Sequence, residues 1–183
     1  MKKKLTFLLV STLCTGLFSC KKTSDQQAST PIVTINADST VPLNGLSGAL
    51  LLNGGDSLVI GFTNTTSTDT AKVINQVIGD SSTNYNYFYI NLAAKSPIVA
   101  GMTYSSSSSN TSSLHFGLQN NGLLYLPYIP STVVNSVTIN SVNSTSVSGV
   151  YTATLYKVTN RNPFGTDGTA IKITGSFSEK FLL

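Results

Sequence analysis

Beyond residue 31, apolar and polar residues alternate with a period of two through much of the chain, which is the side-chain period of a strand. In Tyr85-Asn86-Tyr87-Phe88-Tyr89-Ile90-Asn91-Leu92, one face takes Phe88, Ile90 and Leu92 and the other takes Tyr85, Tyr87 and Tyr89. Leu114, Phe116 and Leu118 share a face and leave His115 opposite. Val137 and Ile139 alternate with Ser136, Thr138 and Asn140, and Tyr151, Ala153 and Leu155 alternate with Thr152, Thr154 and Tyr156. The last run is the cleanest. Ile171, Ile173, Phe177 and Phe181 oppose Lys172, Thr174, Ser176, Ser178 and Lys180.

Turn residues fall between these runs. Asn53-Gly54-Gly55 separates Leu50-Leu51-Leu52 from Leu58-Val59-Ile60-Gly61-Phe62, a strong hairpin signal. Asn120-Asn121-Gly122 turns the middle of the chain. Asn160 to Gly168, with Pro163, Gly165 and Asp167-Gly168, predicts a longer loop between the last two strands. The polar, low-complexity stretch from Ser105 to Ser113 predicts another loop. Thr70, Val73, Ile74, Val77 and Ile78 follow helical spacing between a capping Asp69 and a terminating Gly79. Their β-branching argues the other way, so a short helix near residues 69–78 stays open. The chain shows no repeat of fixed period. Many short antiparallel strands predict an all-β fold, an antiparallel β-sandwich with a closed β-barrel as the alternative. Uneven loop lengths favour the sandwich.

The alternation is absent at the N-terminus. Lys2, Lys3 and Lys4 precede an apolar run from Leu5 to Phe18. A spanning helix needs about 20 apolar residues, so this run reads as a signal peptide. It ends in Leu17-Phe18-Ser19-Cys20, which resembles the lipobox of bacterial lipoproteins. The resemblance implies cleavage before Cys20 and acylation of that residue, and more than one acyl chain makes membrane attachment stable. Lys21 to Pro31 is polar, with no aliphatic residue larger than Ala, and reads as a flexible tether. The chain thus divides into a lipoprotein signal peptide (1–19), a lipidated cysteine with its tether (20–31) and one β-rich domain (32–183). Lys21, not Asp, follows the cysteine, and no acidic run comes after it. By analogy this favours the outer membrane, with the domain facing the periplasm.

The layout resembles small Bacteroidota-type lipoproteins that carry one β-rich domain of no assigned activity. The echoes are Ala100-Gly101-Met102-Thr103-Tyr104, Ser148-Gly149-Val150-Tyr151 and Ile173-Thr174-Gly175-Ser176-Phe177. They are strand motifs, so the resemblance brings no functional residues with it.

Charge and cysteine content change once the signal is removed. The whole chain is +4 with a pI near 9.1. Past Cys20 the bases are Lys21, Lys22, Lys72, Lys95, Lys157, Arg161, Lys172 and Lys180; the acids are Asp25, Asp38, Asp56, Asp69, Asp80, Asp167 and Glu179. That near-neutral balance, with no basic cluster beyond Lys21-Lys22, argues against nucleic acid as a partner. Cys14 lies in the signal and Cys20 is the anchor, so no disulfide or thiolate metal site is expected in the domain.

Candidate chemistry is sparse. His115 is the single histidine, and no Gly-x-Ser-x-Gly elbow accompanies it. The aspartates sit largely in Ser-, Thr- or Gly-containing turn contexts rather than as a catalytic pair. Asp167-Gly168 lacks the neighbouring acids that calcium needs. No catalytic residue, metal or cofactor is expected. Tyr85, Tyr87 and Tyr89 form a candidate binding row, because tyrosine offers a flat apolar body with a polar tip. Ser39, Ser57 and Thr70, each after Asp, look like the Asp-Ser/Thr acceptors of O-glycosylation in exported Bacteroidota proteins. The expected function is a non-enzymatic envelope module that binds a glycan or a partner protein. The alternatives are a structural spacer and, with less support, a hydrolase.

Overall fold

The computed structural model describes residues 32–65, 86–127, 132–161 and 164–182. Cys20, Thr70, Tyr85 and the 69–78 segment lie outside these. The described chain forms eleven strands and one short 3-10 turn at Asn53–Gly55, with no α-helix among the described residues. The strands are β1 (Ile32–Ile35), β2 (Ser39–Val41), β3 (Ser47–Leu52), β4 (Ser57–Thr63), β5 (Tyr87–Ala94) and β6 (Thr103–Ser105). They continue with β7 (Thr111–Asn120), β8 (Leu123–Leu126), β9 (Ser136–Val142), β10 (Ser146–Arg161) and β11 (Phe164–Lys180).

All ladders between named strands are antiparallel. One path runs β2-β1-β11-β10-β8-β7-β5-β4-β3, and β9 with β6 branches from β10. β10 makes the branch because it is 16 residues long. Val147 to Thr152 pair with β9, whereas Tyr156 and Lys157 pair with β8. The sheet folds over so that its inner faces meet. Phe88 of β5 and Tyr151 of β10 are separated by two strands along the path, yet their rings lie 4.8 Å apart, centroid to centroid. Phe62, Phe88 and Phe116 extend that aromatic contact across three neighbouring strands. One end of the path, β3, meets the residue just beyond β11 through an isolated parallel bridge, Ala49 to Phe181, and the sheet is not closed into a barrel. The architecture is therefore all-β and sandwich-like, and the barrel alternative is set aside.

The inner faces are those the alternation predicts. Phe88, Ile90, Leu92, Leu114, Phe116, Leu118, Val137, Ile139, Tyr151, Ala153, Leu155, Ile171, Ile173 and Phe177 are all buried in one core. Asn121 and Gly122 both take positive φ, as a two-residue hairpin turn requires.

Two expected loops are shorter than their composition suggests. Thr103–Ser105 is β6, and Thr111 already begins β7, so the Ser-rich loop spans Ser106 to Asn110 alone. Thr111 and Ser113 sit opposite Ala94 and Ala93 in the ladder. Serine and threonine hydroxyls are accommodated on a sheet face, which composition alone does not convey. The segment from Asn160 to Gly168 is not a long loop either. β10 continues to Arg161 and β11 begins at Phe164. Register shifts between Tyr156 and Asn160 absorb the irregular residues, and Gly168 sits at positive φ within the strand.

Candidate functional site

At Tyr87 and Tyr89, its two described members, the tyrosine row is not an open platform. Tyr87 and Tyr89 project from the face of β5 opposite Phe88, as alternation requires, and their rings stack at 6.4 Å. Tyr87 is only 5% exposed and packs with Leu46, Tyr89 and Leu124. Tyr89 is half-buried and pairs with Gly117 on β7. A Cβ on Gly117 would collide with the Tyr89 ring, so that ring covers the bare glycine. Burial pushes the Tyr89 hydroxyl pKa up. Of this pair, Tyr89 alone has appreciable surface.

A cleft of about 340 Å³ opens elsewhere, beside His115. Its walls come from separate parts of the chain. Ser106 and Ser107 belong to the turn between β6 and β7, and Leu114 and His115 to β7. Pro127 follows β8, Thr132 to Asn135 precede β9, and Thr154 lies on β10. Asn135 holds these pieces in place. It is buried, and its side-chain Oδ1 accepts the Thr154 amide at 2.8 Å. Its own amide donates to the Ser106 hydroxyl at 3.1 Å, and its carbonyl accepts the Ser106 amide at 2.9 Å. Turn, pre-strand segment and β10 are thus fixed through one side chain and its backbone. Sequence reasoning missed Asn135. An Asn immediately before a strand was the available signal, and it reads as an ordinary loop residue.

Among the described residues, the lining carries no Lys, Arg, Asp or Glu. Hydroxyls of Ser106, Ser107, Thr132 and Thr154 alternate with the apolar surfaces of Leu114, Pro127, Val133 and Val134. No carboxylate lines the cleft among the described residues, and no cluster of His, Cys, Asp and Glu there could hold a metal. His115 is exposed, on the outer face of β7.

The glycosylation candidates differ in access. Ser39 is exposed on β2. The Ser57 hydroxyl accepts from the Asn53 side chain at 3.1 Å and donates to Asp56 at 3.2 Å. Asp167, in the irregular stretch of β11, accepts the Thr169 amide and pairs with Lys157 at 3.2 Å. The Thr169 amide is the main reason its carboxyl pKa is lowered. No helix among the described residues is long and apolar enough to cross a membrane. No known protein family, curated protein or solved structure matches the chain.

Proposed function

We propose that this chain is a lipid-anchored envelope protein, held through Cys20 at the outer membrane, whose domain binds a glycan without acting on it. The cleft beside His115 carries the reading. Sugars present neutral hydroxyls around apolar ring faces. Hydroxyls, an amide and an imidazole interleaved with aliphatic surface suit that chemistry. The lining offers no carboxylate pair for glycosidic cleavage among the described residues, which favours binding over hydrolysis. Tyr89 has less to offer, being half-buried over Gly117.

The test is a glycan array probed with the wild-type chain and with a His115→Ala/Thr132→Ala variant. Both residues are exposed and outside the core, so the fold should persist. Binding should weaken at least about tenfold, a loss of about 1.4 kcal/mol. Binding unchanged in the variant would move the site away from the cleft. No binding to any glycan would leave the spacer as the better reading.

A further inference from the structure

The contact between the edge strand β3 and the C-terminal end of β11 buries a carboxyl that the cleft does not use. Glu179 lies on the inner face of β11 and is 3% exposed. Its Oε1 meets no hydrogen-bond donor among the described residues. Ser47, at the start of β3, offers the carboxyl a hydrogen bond. Two residues further along, Phe181 makes the isolated bridge to Ala49. The Leu182 amide donates to the Ala49 carbonyl at 2.8 Å, and the Leu182 side chain fills the space over Gly48. Glu179 therefore sits inside the seam that joins β3 to the C-terminal end of β11.

Among the described residues, no cation compensates it. β3 faces it with Ser47 and has no ionisable side chain, and neither do β1 and β9. On β10, Val147 stands opposite, and the inward-facing Tyr151 is paired four residues away with Gly175. Lys180 is exposed on the outer face. An ionised carboxylate in such a place is costly unless it is paired. Burial pushes the Glu179 carboxyl up from 4.5 to about 7, against the smaller opposing pull of the Ser47 hydrogen bond.

We propose that Glu179 is a pH-sensitive latch: neutral, it lets β3 and the end of β11 stay joined; ionised, it loosens that seam. The device operates around neutral pH, where a modest change in surroundings alters its state.

Amide hydrogen exchange on the full chain in detergent micelles tests this, after correction for the intrinsic pH dependence of exchange. Between pH 5 and 9 the Leu182 amide should lose protection by on the order of 100-fold, as linkage to one raised carboxyl allows. Amides of the β4–β5 ladder, away from the seam, should keep theirs. Glu179→Gln should abolish the change at Leu182. Protection at Leu182 that ignores pH, or an identical pH response in E179Q, overturns the proposal. A second measurement does not depend on the variant folding. Glu179 is the single glutamate of the chain, so ¹³C-glutamate labelling gives one side-chain carboxyl signal. It should titrate near neutrality with the Leu182 amide shift following it. A midpoint near the ordinary glutamate value of about 4.3, or a seam amide that does not follow, overturns it equally.

Discussion

Single residues set how closely neighbouring strands and their side chains approach. Gly149 of β10 is the sharpest case. A Cβ there would lie 2.3 Å from the Thr138 carbonyl oxygen and 2.6 Å from the Phe177 ring. The carbonyl belongs to the backbone of β9 and cannot swing aside. Gly149→Ala should therefore cost about 3 kcal/mol, at the upper end of overpacking effects, read as a lower urea midpoint with an unchanged slope. Phe177 is the neighbour on the other side and is 2% exposed. Phe177→Ala removes that ring from the core and should cost about 3–5 kcal/mol. Lys172, exposed on the same strand, should tolerate Ala within about 0.5 kcal/mol. If all three variants shifted the midpoint alike, the inward and outward faces of β11 would be misassigned.

Elements were legible where alternation was strict. The faces of β5, β7, β9, β10 and β11 follow from period-two spacing, because one face of each must be apolar to reach the core. Asn121-Gly122 was legible for a different reason: a two-residue hairpin needs positive φ twice, and few residues supply it. Gly122→Ala should weaken the β7–β8 hairpin by about 1–2 kcal/mol, the penalty for an L-residue in the left-handed region, again measured by urea unfolding. The β10–β11 pairing was misread because Gly165 and Gly168 look like loop residues, and nothing local reveals a ladder able to absorb them by register shifts. The cleft was illegible for a related reason. Its residues are scattered from Ser106 to Thr154 and converge through long-range strand pairing and the hydrogen bonds of Asn135. Glu179 was in plain view: it shares parity with Phe177 and Phe181, which places it inward. A polar residue in an otherwise clean pattern was the signal.

At the scale of the whole molecule, stability should depend on pH through Glu179. Its folded-state pKa lies above the unfolded one, so its contribution is complete below about 4.5 and is lost as the pH rises through about 7. The urea midpoint of the wild-type chain should fall across that window, and that of E179Q should stay flatter. The proposed anchor has its own measurement: labelled palmitate should enter the wild-type chain and not a Cys20→Ala variant. The pairing of β1 with β11 reaches further still. Ile32 lies opposite Ser176, and Ala49 meets Phe181, so β1 and β3 take partners from more than a hundred residues downstream. Such long-range pairing is slow, because a large loop must close before any contact rewards it. A nascent chain emerging in order from ribosome or translocation pore would hold β1 and β3 without these partners until β11 emerged. Release of β11, rather than any local step, would then set the moment of folding, and a chain of this topology would stay threadable until that strand had passed.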